Sequence, residues 1–84
     1  SLEIDVVAEL DSGNYLLGEC KWSSSPVGPA VLYELREKIA RMPNAKFRLN
    51  PRLAIFSLAG FDPEVHRRAQ QEDVLLVYGD ELLS

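Results

Sequence analysis

Cysteine and histidine are nearly absent from this chain. It has one of each, Cys20 and His66, in 84 residues. A single cysteine excludes an internal disulfide framework and a cysteine-rich zinc site. A lone histidine excludes a multi-histidine metal centre. No apolar run approaches the ~20 residues of a membrane-spanning helix, and the opening residues carry no signal-peptide pattern. There are no internal repeats and no low-complexity segment. An excess of positive charge is also missing: the formal net charge is −4, which disfavours a simple charge-driven nucleic-acid sleeve. What is present is an ordinary share of apolar residues, 46%, enough to argue against disorder and for one small domain spanning 1–84.

The charge is unevenly distributed. Between Arg36 and Arg52 lie Arg36, Lys38, Arg41, Lys46, Arg48 and Arg52, opposed only by Glu37. That stretch carries +5 and leaves −9 for the remainder. Such runs are usually solvated surface. An acidic cluster beside a basic segment also suits a metal-dependent phosphodiesterase, with carboxylates for the metal and basic groups for the phosphate backbone.

Residues 2–10 alternate, with Leu2, Ile4, Val6, Ala8 and Leu10 on one side and Glu3, Asp5, Val7 and Glu9 on the other. Residues 14–22 alternate again, with Leu16, Gly18, Cys20 and Trp22 opposite Tyr15, Leu17, Glu19 and Lys21. Asp11-Ser12-Gly13 between them is a hairpin signal. A three-residue loop with left-handed Gly13 pairs Leu10 with Asn14 and sets Asp5 opposite Glu19 and Glu3 opposite Lys21. The polar groups then share one face and the apolar rows merge on the other, where the Cys20 thiol points into the core. A two-residue turn would mix them, so the hydrophobic pattern selects the longer loop.

Ser23–Pro29 reads as a loop. Val31, Leu32, Leu35, Ile39 and Met42 recur at helical spacing between Pro29 and Met42. Residues 44–51 read as a polar connection. Leu53–Leu58 reads as a strand covered on both faces. Asp62-Pro63-Glu64 starts a helix that runs to about Glu72, with Asp62 as cap. Val74–Tyr78 reads as a last buried strand, and Glu81–Ser84 as the start of a final turn. The expected order is β-β-α-β-α-β in a mixed α/β sheet, with the last three strands parallel through right-handed crossovers.

Asp5 and the run Glu19-Cys20-Lys21 carry the chemistry. Carboxylates on neighbouring strands offer hard oxygen ligands for Mg²⁺ or Mn²⁺, and the Cys20 backbone carbonyl offers a third. The Lys21 ammonium can orient a water or stabilise phosphoryl charge. Trp22 reads as core. His66 reads as exposed and inert, and Arg67-Arg68 as exposed charge near a helix end. Tyr33, Arg36 and Lys38 read better as a solvated helix face than as supporting site residues.

Asp followed by Glu-x-Lys across a hairpin resembles the PD-(D/E)xK nucleases, which include restriction endonucleases and Holliday-junction resolvases. Glu3-Ile4-Asp5-Val6-Val7-Ala8, Leu16-Leu17-Gly18-Glu19-Cys20-Lys21-Trp22, Ile55-Phe56-Ser57-Leu58-Ala59-Gly60-Phe61 and Val74-Leu75-Leu76-Val77 resemble one branch, the DUF234 domain that follows an AAA-type ATPase module in archaeal and bacterial proteins. The resemblance implies a restriction-endonuclease-like fold and a cytoplasmic, ATPase-associated nuclease. It implies catalytic roles for Asp5, Glu19 and Lys21, with Asp5 and Glu19 as metal ligands and Glu3 in support. It implies Mg²⁺ or Mn²⁺ as cofactor and DNA as partner, contacted by Arg36, Lys38, Arg41, Lys46, Arg48 and Arg52. Ile4 stands where the family's motif has proline. The superfamily's first helix and strand have no counterpart here, so the chain reads as a fragment of a longer protein whose ATPase lies upstream. The alternative is an inactive nuclease-like module for DNA contact, regulation or oligomerisation. An open edge at the first strand would invite a homodimer.

Overall fold

Alternating apolar positions and two helical stripes resolve, in a computed structural model, into one four-stranded sheet in the order β1-β2-β3-β4. The structure describes residues 4–11 and 13–79. The elements are β1 (Val6–Asp11), β2 (Asn14–Lys21), α1 (Ala30–Ala40), β3 (Arg52–Ser57), α2 (Pro63–Glu72) and β4 (Val74–Tyr78), with a short 3₁₀ turn at Ala45–Arg48. β1 is antiparallel to β2, and β2, β3 and β4 are mutually parallel. The expected mixed α/β order holds for these elements. The expected final turn and Glu3 lie outside the described residues.

The hairpin keeps the expected register along most of its length. Val6 pairs with Gly18, Val7 with Leu17, Ala8 with Leu16 and Glu9 with Tyr15. The tip differs. Asp11, not Leu10, pairs with Asn14, and the register shifts between Glu9 and Asp11. A bulge at the tip therefore absorbs the extra residue, so the closing pair is offset while the body of the strand keeps its facing. Gly13 is left-handed as expected, at φ +83°, a conformation that glycine adopts without steric cost.

The larger correction concerns which face becomes the core. Two successive right-handed crossovers run the same way across the sheet, β2 to β3 and β3 to β4, so both helices land on one face. That face carries Leu17, Leu53, Ile55 and Val74, which form one cluster with Val31, Leu32, Leu35 and Ile39 of α1 and Val65 and Ala69 of α2. By strand pairing it is the face of Glu19, the one expected to be polar. The apolar row of Val6, Ala8, Leu16 and Cys20 continues through Ala54, Phe56, Leu75 and Val77 on the opposite face. Among the described residues no helix covers that side. Cys20 is accordingly half-buried, outside the helix-covered core. Among the described residues β3 is covered by helices on one face, not two. Ala54 is nevertheless fully buried, and the Phe56 ring lies over Gly18, where an added Cβ would meet Phe56 Cε2 at 3.1 Å. Trp22, read as core, is 66% exposed, because it stands past the end of β2.

Local signals explain the ends of the helices. Asp62 is the N-cap of α2 and Pro63 opens it, as expected, though the Asp62 side chain makes no capping hydrogen bond. Asp73 closes α2 in the left-handed region at φ 58°, its N–H bonded to the Ala69 carbonyl. The connection after α1 is more ordered than its polar sequence suggests. Phe47 packs edge-on against Tyr15 at 4.9 Å between ring centroids, and the Asn44 side chain accepts from the Lys46 N–H. This anchors the connection to β2 on the helix-covered side.

The two faces of the sheet should respond differently to truncation. Leu17→Ala should lower stability by about 2–5 kcal/mol, because Leu17 is fully buried beneath both helices. Leu75→Ala, on the open face and 44% exposed, should cost under about 1 kcal/mol. Urea unfolding of the two variants checks this, and equal losses would overturn the assignment of faces.

Candidate functional site

The β1–β2 hairpin places Asp5 against the backbone of Cys20, the residue after Glu19, and not in a simple cross-strand pair with Glu19. The ladder stops at Val6, and the chain bends at Asp5. Ile4 packs against the helix-side cluster, so strict alternation ends at the bend. The Asp5 carboxylate takes over from the ladder: its Oδ2 accepts the backbone N–H of Cys20 at 2.9 Å. In an antiparallel pair a residue's N–H and C=O point to the same neighbour, so the Cys20 carbonyl also faces the β1 side.

Glu19 occupies the central strand β2 on the covered face, with only 5% of its surface exposed. A carboxylate at that depth requires a counter-charge. Lys38 supplies it from α1, with Nζ 2.8 Å from Glu19 Oε1. Lys38 lies three residues after Leu35 and next to Ile39, both buried. It therefore stands on the flank of the helix stripe that packs on β2, and its stem reaches past the core to the acid. The solvated reading of Lys38 is thus replaced by a part-buried ion pair. The sequence carried one signal for it: a basic residue at the edge of the apolar stripe of α1, with an acid on the strand beneath. That signal requires knowing which face α1 covers.

Lys21 lies two residues beyond Glu19 on the same face of β2, half-buried. It lines a cavity of about 260 Å³ with Val27, Gly28, Val31 and Glu34 at the start of α1. No ion pair involving Lys21 occurs among the described residues. The carboxylates of Asp5 and Glu19 both act on the Cys20 thiol. Burial pushes its pKa up, and the negative charges of Asp5 and then Glu19 push it further in the same direction. No cluster of three or more His, Cys, Asp or Glu side chains suited to a metal occurs among the described residues.

The basic segment is divided. Arg36 bonds Glu72 of α2 at 3.0 Å, Arg52 lies 3.9 Å from Asp73, and Arg48 donates to the Met42 carbonyl. Lys46 lies 5.1 Å over the Phe47 ring and 5.5 Å over Tyr15, and Arg41 is exposed just after α1. Arg36, Arg48 and Arg52 stand around the start of β3, where they line adjoining cavities with Asn50, Pro51 and Leu53. Arg52 is level with Leu16 and Lys21 with Ser57, so these arginines and Lys21 mark opposite ends of the sheet, roughly 16 Å apart along the strand. Tyr33 is exposed, and a hydrogen bond to Glu37 holds its phenol above the usual value. His66 is exposed, edge-on to Phe61. Arg67 and Arg68 pair with Glu64 within α2.

The Cys20 thiol should report on the two carboxylates. A raised pKa leaves less thiolate at a given pH, so iodoacetamide should alkylate Cys20 in the folded protein at pH 8 more slowly than a free cysteine. Asp5→Asn should speed the reaction by removing one of the charges that disfavour the thiolate. An unchanged rate in Asp5→Asn would place Asp5 too far away to matter. Comparison with protein-family models, with curated proteins and with solved structures finds no match to this chain, so its function is argued from its own residues.

Proposed function

We propose that this chain is a metal-dependent phosphodiesterase domain acting on DNA, with Asp5, Glu19 and Lys21 as its working residues. The observation that carries the reading is the hydrogen bond that holds the Asp5 carboxylate on the Cys20 backbone, one residue along β2 from the buried Glu19. Asp5 accepts the Cys20 N–H across the hairpin, and Glu19 precedes Cys20 on β2. Lys21 follows on the same strand face as Glu19, about 6.6 Å further along.

The donor set fits a hard divalent cation. It consists of the Asp5 and Glu19 carboxylates and the Cys20 carbonyl, all oxygen, and Mg²⁺ is commonly held by one or two carboxylates with water completing its shell. A cation bound there would supply Lewis-acid stabilisation of phosphoryl charge and a more acidic water. The chain's own contribution is distinct. Asp5 is held by the Cys20 N–H, which fixes one carboxylate oxygen and leaves the other for a ligand. Glu19 is oriented by Lys38. Lys21 Nζ, without a carboxylate partner among the described residues, is available to donate a hydrogen bond to an attacking water or a phosphate oxygen. An ATPase in the same polypeptide, and a second copy of the chain, are partners proposed on the resemblance and on an open β1 edge.

One observation favours a second reading, a nuclease-like module without activity. Glu19 is already neutralised by Lys38, and five of the six basic residues between Arg36 and Arg52 are engaged within the chain. The two readings separate on metal dependence. Cleavage of DNA by the intact protein should require Mg²⁺ or Mn²⁺. Lys21→Ala should lower its rate by about 10²-fold or more, in the range of a lost electrostatic stabiliser, without loss of fold by circular dichroism. A Lys21→Ala rate equal to wild type would remove the mechanism, and absence of cleavage with either metal would favour the inactive module.

A further inference from the structure

We propose that Lys38 is a resident counter-cation beside Glu19, and that a divalent cation must displace it to bind, so Lys38 sets the metal affinity of the site. This rests on the reading of Asp5 and Glu19 as metal ligands.

The argument starts from depth. Glu19 is buried to 5% exposure beneath α1, so its ionised carboxylate needs a neighbouring positive charge. Two lysines lie within reach along the chain's topology, Lys21 on the same strand and Lys38 on the overlying helix. The pair forms with Lys38, at 2.8 Å. The carboxylate is therefore oriented by an ammonium at hydrogen-bond distance when no divalent cation is bound. Lys21, two positions along the strand, stays unpaired among the described residues.

The second step is mobility. Glu19 is fixed by the central strand, but Lys38 is tethered by four methylenes, and its side chain is 36% exposed. Its head can leave the acid while its stem still covers the core. A divalent cation on Glu19 would repel an ammonium at hydrogen-bond distance, so the two positive charges cannot share the carboxylate. Binding then becomes an exchange: a monovalent ammonium leaves and a divalent ion enters. The measured affinity is the intrinsic affinity of the carboxylates reduced by the free energy of the ion pair broken.

The position of Lys38 also separates it from a surface decoration. The other basic residues of α1 and its continuation point elsewhere, Arg36 to Glu72 and Arg41 to solvent. Of the chain's three lysines, Lys21, Lys38 and Lys46, only Lys38 pairs with an acid of the proposed site among the described residues.

The test is calorimetric titration of Mn²⁺ into intact wild-type protein, Lys38→Met and Lys38→Arg, with the fold of each checked by circular dichroism. Lys38→Met keeps the stem and removes the charge. It should bind Mn²⁺ at least about tenfold more tightly than wild type, and its thermal midpoint should rise more on adding Mn²⁺. Lys38→Arg should bind as wild type does. Wild-type binding with no gain in Lys38→Met overturns the exchange and leaves the metal-site reading standing. No Mn²⁺ binding by any form removes both. A second measurement is independent of the folding of Lys38→Met. Reductive ¹³C-methylation of the wild-type lysines gives separate amine resonances, and Mg²⁺ should shift that of Lys38. A Lys38 resonance unmoved at saturating Mg²⁺ overturns the proposal.

Discussion

A carboxylate buried beneath a helix is the constraint on which the rest of this small structure turns. Glu19 stands on a central strand, in the layer where Leu17, Leu53 and Ile55 pack against α1 and α2. An ionised group there is tolerated only with a partner, and the partner comes from the helix above. The pair ties α1 to β2 at a fixed rotation about the helix axis. With Lys38 directed at Glu19, Leu35 and Ile39 face the core and Arg36 turns toward α2, where it meets Glu72. An apolar residue at position 19 would pack as well or better, since buried ion pairs seldom exceed a hydrophobic replacement in stability. The acid is therefore better explained by chemistry or orientation than by stability.

The topology accounts for where that acid lies. A parallel run of three strands joined by right-handed crossovers places both helices on one face whenever the strands are added in the same direction. The choice is then which face, and for β2 the two faces are close in apolar content. Tyr15 and Leu17 compete with Leu16, Gly18 and Cys20. β3 and β4 decide the matter. Leu53 and Ile55 align with Val74 and Leu76, large side chains that fill the space beneath a helix. The other face offers Gly18 and Ala54 at its centre, with the Phe56 ring in contact range of Gly18. Bulk in the central strands thus directs the helices to the side of Glu19, and the acid becomes buried as a consequence.

Much of this was legible in the residues and some was not, for definable reasons. Strands and helices followed from periods of two and about three and a half, signals written within each segment. The hairpin register was readable because a slip by one residue would mix apolar and polar rows, and it held from Val6 to Glu9. The bulge at the tip was not readable, since it preserves that pattern on both sides. Trp22 was misplaced because it stands past the end of β2, and Cys20 because alternation assigns residues to two faces without saying which one the helices cover. The Lys38–Glu19 pair depends on the same missing fact, and its partners are 19 positions apart. The bond from Asp5 to the Cys20 backbone was not readable either, since it arises from a bend that interrupts the alternation.

The division of basic charge follows from the same geometry. Parallel strands place the residues that enter β3 at the end of the sheet opposite those that leave β2. Arg48 and Arg52 precede or open β3, and Lys21 closes β2. Residues contiguous in charge along the chain are thereby separated in space, and Glu72 and Asp73, which end α2 and lead into β4, arrive beside Arg36 and Arg52. Three of the six basic residues of that segment, Arg36, Lys38 and Arg52, thus meet acids where they stand. A phosphate backbone drawn to Lys21 would meet its ammonium with Lys38 already committed to Glu19 and with Glu34 on the wall of the same cavity. Affinity for a polyanion at that end then depends on positive charge brought by something other than the arginines. A divalent cation on Asp5 and Glu19 would supply it, which makes substrate binding and metal binding a single coupled event on this reading of the site.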